Sequence, residues 1–293
     1  MSKKTVLVTG ASSGLGRAAA VMLADNGFHV FAAARNIAGV FVNVEGIEPI
    51  SLDVSCSASV AAAFERIRQA CAEQPLWGLV NNAGICVPSP LELLSADELR
   101  RQLDTNVIGQ LLVTQAALPY LRRSGGRIVN VTSGLGSIAV PYLGAYSIAQ
   151  FAKMAFSDAL RRELAHSGVS VSVVQPGAIN TPIWGKFSST GQQVLAQANG
   201  EPRQIYEPSF SAFLKQSEAL ASQAGTSETD FARTILGVLD SPSPQSHYCV
   251  GADAAEFVKM ARTLGTDDLD ALFMAQMPTA QAFAEVAQTS DAS

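Results

Sequence analysis

Short runs of β-branched and other apolar residues alternate with longer stretches in helical period over the first two thirds of the chain. The runs predict strands at residues 5–9, 28–33, 50–52, 77–80, 127–132 and 169–175, with a last weak one at 248–250. Between them the pattern predicts helices over 57–73, 95–121 and 145–166. An earlier helix runs through Ala18, Ala19, Val21, Met22 and Leu23 and is closed by Asn26-Gly27. Apolar strands without strict in-and-out alternation have both faces buried, which means a parallel sheet covered by helices. The expected fold is therefore α/β, a Rossmann-type doubly wound parallel sheet of about seven strands.

After Pro182 the pattern changes. Residues 185–230 are polar and rich in Gln, Ser and Ala, and Ser241-Pro242-Ser243-Pro244 reads as a loop. Residues 252–288 read as one or two amphipathic helices, with Met260, Leu269, Leu272, Phe273 and Met277 on an apolar face. The expected organisation is one domain over 1–293. Residues 1–184 form the core, and 185–293 form an extended helical lid over the carboxyl ends of the strands, where such sheets bind ligands.

Composition narrows the function classes. The chain has 293 residues, 48% of them hydrophobic, enough for a sizeable core and too apolar for a disordered chain. Twenty Lys and Arg against 25 Asp and Glu give a net charge of −5 and no basic footprint for nucleic acid. No apolar stretch approaches the ~20 residues of a membrane span. The apolar run after Met1-Ser2-Lys3-Lys4 is too short for a signal peptide. Cys56, Cys71, Cys86 and Cys249 lie far apart and read as small buried residues of a reducing, cytoplasmic compartment, not as a disulfide or metal framework. His29, His166 and His247 are scattered and read as surface residues.

The first strand runs into Gly10-Ala11-Ser12-Ser13-Gly14-Leu15-Gly16 and then a helix. Glycines there allow a tight turn and bring backbone close to a pyrophosphate at the positive helix end. Thr9, Ser12 and Ser13 add hydroxyls for phosphate or backbone. The second strand ends Ala32-Ala33-Ala34-Arg35, with no carboxylate until Glu45. An acid there would hold the ribose 2′-hydroxyl of NAD, whereas an Arg accommodates the 2′-phosphate of NADP. The sequence therefore favours NADP over NAD.

Further matches follow in order: Leu52-Asp53-Val54, Asn81-Asn82-Ala83-Gly84, Asn106, Ser133, Tyr146 and Pro176-Gly177. With residues 9–16 they resemble the short-chain dehydrogenase/reductase family over about residues 5–182. The run Phe156-Ser157-Asp158-Ala159-Leu160-Arg161 and the late His247–Asp253 segment resemble its retinol and hydroxysteroid dehydrogenase branch. The resemblance implies that Asp53 contacts adenine with Val54 beside it, and that Asn82, Ala83 and Gly84 support the nucleotide. Pro176, Gly177 and Ile179 would flank the nicotinamide, and Thr181 would bind its carboxamide. It implies Tyr146 as acid/base, Ser133 as the group that positions the carbonyl, and Asn106 holding a relay water. The branch implies an apolar ketone or alcohol substrate. The family habit implies a homodimer or homotetramer, here through Leu103, Val107, Leu111, Leu112 and the 145–165 helix. Trp184 and Phe187 would line the pocket or pack the lid.

One family position departs. The pattern is Tyr-x-x-x-Lys, and this chain has Tyr146-Ser147-Ile148-Ala149-Gln150. In the family that Lys grips the nicotinamide ribose and stabilises a tyrosinate. Gln150 keeps hydrogen-bonding atoms without the charge. Losing a cation lets the tyrosine pKa return toward about 10. Lys153 lies about 10 Å further along the helix on nearly the same face. It is expected as an exposed or interface residue, with an approach to Tyr146 as the other option. Ketone reduction needs protonated Tyr146 and alcohol oxidation needs it ionised, so the direction expected is reduction. The expected function is an NADP-dependent oxidoreductase interconverting a hydrophobic ketone and a secondary alcohol. The alternative is an impaired NADP-binding pseudoenzyme or sensor, and Gln150 is the residue that favours it.

Overall fold

The computed structural model describes residues 4–71 and 76–277. In chain order its elements begin with β1 (Thr5–Thr9), α1 (Gly14–Asp25), β2 (His29–Ala34), β3 (Ile47–Ser51), α2 (Ser57–Ala70) and β4 (Leu76–Asn81). They continue with α3 (Ala96–Leu103), α4 (Gly109–Ser124), β5 (Arg127–Val131), α5 (Gly144–Glu163), β6 (Ser170–Pro176), α6 (Ile183–Gln197) and α7 (Gly200–Ser222). The last are α8 (Glu228–Asp240), β7 (His247–Val250), α9 (Ala252–Thr263) and α10 (Thr266–Gln276). The seven strands form one sheet in the order β3-β2-β1-β4-β5-β6-β7, every pairing parallel. This is the doubly wound fold that the unalternating apolar runs predict. The order reverses between β1 and β4, which opens a crevice at the carboxyl ends of those two strands.

Apolar side chains fill both faces of the sheet. On one, α1 and α8 lay Leu23, Phe231, Ile235 and Leu239 against Val6, Val8 and Val30. On the other, Ile67, Val113, Leu121 and Leu160 from α2, α4 and α5 meet Leu7, Phe31 and Leu79. A third cluster stands apart, with Tyr142, Phe187, Val194, Leu195, Phe210 and Leu214 buried between α6, α7 and the loop before α5. The packing boundary is thus not at residue 184: of the later chain α6 and α7 share a separate core, while α8 and β7 belong to the sheet layers.

Local departures from the expected elements have physical causes. The third strand starts at Ile47, earlier than its apolar run, because β3 is an edge strand and tolerates Glu48 and Pro49. The helix expected over 95–121 is continuous through Ala96–Ser124 but widened by a π-turn at Asp104–Ile108, which separates α3 from α4. Cys56 and Cys249 are exposed, not buried, one preceding α2 and one on the edge strand β7, and all four cysteines are free. The ends of the helices expected over 57–73 and 252–288 fall partly outside the described residues. Among the described residues no helix is long and apolar enough to cross a membrane.

Candidate active site

The crevice begins as backbone geometry. A Cβ on Gly16 would stand 2.4 Å from both Asn82 Nδ2 and the Gly10 carbonyl oxygen, so no larger residue lets the turn close. Asn82 Nδ2 donates to the Thr9 carbonyl at 3.0 Å. The Thr9 hydroxyl accepts the N–H groups of Asn82 and Ala83, each at 3.0 Å. That hydroxyl therefore serves backbone and leaves phosphate to other groups. Ser13 precedes α1 with no side-chain cap bond, so the first-turn N–H groups face the crevice mouth without a protein partner from that side chain. Ser12 is half-buried beside it, and Leu15 packs into the core under the turn. Across the mouth, Thr181 lies 3.4 Å from the place of a Gly14 Cβ, so the chain after β6 closes over the turn.

The rim carries opposite charges. Asp53 Oδ1 accepts the Ser55 hydroxyl at 2.7 Å and the Ser55 N–H at 3.0 Å. These bonds, aided by the nearby Arg35 cation, hold its carboxyl below the usual range. Arg35 is exposed, and Val54 is buried against Gly109.

Ser133 follows β5. Its hydroxyl accepts the Leu135 N–H at 3.2 Å, and its carbonyl takes Gln175 Nε2 at 3.0 Å. Tyr146 sits in the first turn of α5. Burial pushes its phenol above the ordinary value and the Cys86 thiol adds to this, while hydrogen bonding with Ser133 and Gln150 pulls the other way. Burial dominates, so the phenol stays protonated through the physiological range. Gln150 is 3% exposed and its Oε1 has no protein partner. Burying such an acceptor costs about 1–3 kcal/mol unless a donor arrives.

Asn106 occupies the π-turn between α3 and α4. Its Oδ1 accepts the Ile85 N–H at 2.9 Å and its Nδ2 donates to the Ile85 carbonyl at 3.0 Å. The side chain braces the segment after Gly84. Pro176, Gly177 and Ile179 line the other wall, where the Ile179 carbonyl accepts Trp184 Nε1 at 2.9 Å.

Lys153 is buried, not exposed, and its amine is committed to the end of β5. It is 3% exposed, and its Nζ donates to the Val131 carbonyl at the end of β5. That carbonyl lies one residue past the last β4 pairing, so α5 supplies the donor the sheet lacks. Burial alone pushes this amine down to about 7.

A glycine turn under a helix start, at the switch point of a parallel sheet, with Ser133 and Tyr146 in contact at its mouth, is specific enough to compare with known proteins. The short chain dehydrogenase family profile matches residues 4–192. The chain belongs to that family. As a family member it is an oxidoreductase that works with NAD(P). It is 58% identical to a 3-amino-tetrahydro-pyrrolizinone reductase from Xenorhabdus hominickii, over 98% of this chain and 100% of that one. It is 34% identical to human retinol dehydrogenase 16, over 86% and 81% of the two chains. A solved short-chain dehydrogenase from Streptomyces avermitilis superposes with a TM-score of 0.74 at 28% identity, covering 93% and 94%.

Sequence reasoning missed Cys86 and Asp253 at this short-chain dehydrogenase site, and placed Lys153 at the surface. Cys86 touches Tyr146 electrostatically and has its own thiol pushed up by burial. Lys153 lies beneath the site, and Asp253 reaches it from α9. Only the adjacency of Cys86 to the Asn82–Gly84 run signals any of these along the chain.

Proposed function

We propose that the protein is an NADPH-dependent reductase that turns a ketone into a secondary alcohol, with Tyr146 delivering the proton. The observation that carries this is Tyr146, half-buried in the first turn of α5 and flanked by Ser133 and Gln150 at the mouth of the glycine crevice, where desolvation keeps its phenol protonated. The residues suit the dinucleotide. A Cβ at Gly10 or Gly16 would collide with Asn82, Ala83 or the Gly10 carbonyl, so glycine keeps the turn tight enough for its backbone to approach a pyrophosphate, and the orphaned Gln150 Oε1 is an acceptor for a ribose hydroxyl. Ser12, Ser13 and the start of α1 would hold phosphates. Asp53 and Val54 would hold adenine over Asn82, Ala83 and Gly84, and Arg35 would take the 2′-phosphate. Pro176, Gly177, Ile179 and Thr181 would border the nicotinamide. Bound there, the cofactor supplies a hydride. Ser133 positions the carbonyl oxygen and Tyr146 protonates it as negative charge develops.

The Xenorhabdus relative is named for a compact bicyclic -one, and at 58% identity it weighs more than the retinol dehydrogenases at 34%. We place this chain's substrate with the former, among small cyclic carbonyl compounds. The exposed Ile108, Ile148 and Phe151 beside α4 and on α5 support a homo-oligomer formed on that face.

The test is NADPH oxidation over a panel of cyclic ketones that includes bicyclic lactams, with wild type beside Gln150→Lys. Wild-type reduction should be flat from pH 6 to 9. The reverse oxidation should rise about tenfold per pH unit, because it needs the rare tyrosinate. A lysine a few Å away lowers the Tyr146 pKa by about 1–3 units, so Gln150→Lys should raise oxidation at pH 7 some ten- to a thousandfold. Turnover by the variant alone would instead favour the pseudoenzyme alternative.

A further inference from the structure

We propose that Asp253, in the first turn of α9, is a positioning residue that sets the Gly177–Thr181 loop against the nicotinamide end of bound NADPH. The inference rests on the cofactor placement above. It assigns part of that placement to a residue well beyond residue 192, where the family match ends.

Three contacts fix the loop against the end of β7 and the first turn of α9. The Gly177 N–H donates to the Val250 carbonyl at 2.9 Å, which brings the loop alongside β7. The next N–H, that of Ala178, donates to Asp253 Oδ2 at 2.6 Å. The other carboxylate oxygen fills the space beside Gly177, where a Cβ would stand 1.9 Å from Oδ1. The loop is thus pinned by two successive N–H groups and butted against a carboxylate. Gly251 makes the approach possible. It turns the chain from β7 into α9 at φ +105, and a Cβ on it would meet the same Oδ1 at 2.6 Å.

The same turn also abuts the catalytic serine. A Cβ on Gly134, the residue after Ser133, would stand 3.2 Å from Ala254 Cα and 3.0 Å from Phe257 Cδ2. Gln175 Nε2 completes the link by tying β6 to the Ser133 carbonyl. One turn of α9 therefore contacts the loop on the nicotinamide side and the loop that holds the carbonyl-positioning hydroxyl. A cap that merely stabilised α9 would need neither contact.

The test titrates two nucleotides, NADPH and 2′-phospho-ADP-ribose, which lacks the nicotinamide, and reads binding by fluorescence and calorimetry. Asp253→Ala should weaken NADPH about tenfold or more and leave 2′-phospho-ADP-ribose within about twofold. Asp253→Asn keeps an acceptor for the Ala178 N–H and should stay within about threefold of wild type for both. Gly177 has an ordinary backbone conformation, so Gly177→Ala acts through collision with the Asp253 carboxylate and should repeat the selective loss. The double variant Gly177→Ala/Asp253→Ala should bind NADPH no more weakly than Asp253→Ala alone, because the colliding carboxylate is gone. Equal losses for both nucleotides, or additive losses in the double variant, would overturn the proposal. Should Asp253→Ala not fold, the Gly177→Ala titrations decide by the same criterion. A wild type that binds neither nucleotide overturns the cofactor placement itself and the clamp with it.

Discussion

The glycine crevice and the α6–α7 cover sit on the same end of the sheet and are held by different forces. The crevice is backbone against backbone. Thr9, Gly10, Asn82 and Ala83 are joined by short hydrogen bonds, and no side chain could be inserted at Gly16. The cover is side chain against side chain. Tyr142 lies 5.4 Å from Phe210 and 5.3 Å from Phe213, Phe210 and Phe213 stack at 6.3 Å, and Trp184 meets Phe187 edge-on at 5.3 Å. Backbone constructions fail on a single added methyl. Aromatic clusters tolerate changes that conserve volume. The first suits a ligand whose shape never changes, and the second suits a chamber that must be refitted to a new substrate while the cofactor site stays fixed.

Emptying the cover should produce the largest effect. Phe210 is fully buried, and Phe210→Ala should lower stability by about 3–5 kcal/mol, as large aromatic truncations do. If the two regions are separable, NADPH affinity in the folded variant stays within about twofold, since no residue of the cover core belongs to the glycine turn. Denaturant melts and nucleotide titration on one sample check both halves. Affinity falling in step with stability would break the comparison.

Beneath the crevice, Lys153 tests whether the sheet end tolerates a buried cation. Its pKa falls from 10.5 to about 7 on folding, so the folded state holds fewer protons than the unfolded state between those values. The burial penalty is present in full below pH 7 and is relieved as pH rises toward 10.5. A shift of that size corresponds to about 5 kcal/mol. Against it stands the hydrogen bond to Val131, worth about 1.5–3 kcal/mol when charged. Lys153→Met should therefore stabilise the protein by about 2–3 kcal/mol at pH 6 and destabilise it slightly at pH 10. Urea melts at both pH values decide, and a difference independent of pH would refute the buried-amine account.

Gly16→Ala probes the crevice directly. The added Cβ meets Asn82 and the Gly10 carbonyl, and the turn must open. Binding of NADPH should fall about ten- to a hundredfold, or about 1.4–2.8 kcal/mol. Unlike Asp253→Ala, it should weaken 2′-phospho-ADP-ribose equally, because the turn serves the phosphates common to both.

The contrast also explains what could be read along the chain. The glycine turn follows a strand and opens a helix, and Tyr146 and Gln150 lie one helical turn apart, so both are local facts that spacing reveals. The parallel sheet was legible because buried strands need no alternation. Lys153 was not, because its burial depends on β5 lacking a partner for the Val131 carbonyl, a matter of strand register. Along the chain Asp253 stands out only as the end of the His247–Asp253 segment. Its contact with Ala178 spans 75 residues and exists because β7 pairs beside β6. The cover was the least legible part. Gly200 separates its two helices and Pro208 lies inside the second, so a polar stretch with both breakers hides two amphipathic helices.

The smallest expected effect refines the account of the cover. The Tyr142 hydroxyl donates to Ser209 Oγ at 2.8 Å, a buried bond joining the loop before α5 to α7. Tyr142→Phe keeps the ring against Phe210 and Phe213 and removes only that bond. Ser209 still donates to the Tyr206 carbonyl at 3.3 Å, so it is not left without a partner. The loss should therefore sit near about 1 kcal/mol, the usual net worth of one such bond. Ser209→Ala should lose a similar amount, and the double variant no more than the larger single loss, because both remove the same interaction. NADPH affinity should not move. Additive losses in thermal melts would show that Tyr142 and Ser209 hold the cover through separate contacts, and the aromatic ring stack would then carry the docking of α7 without the bond.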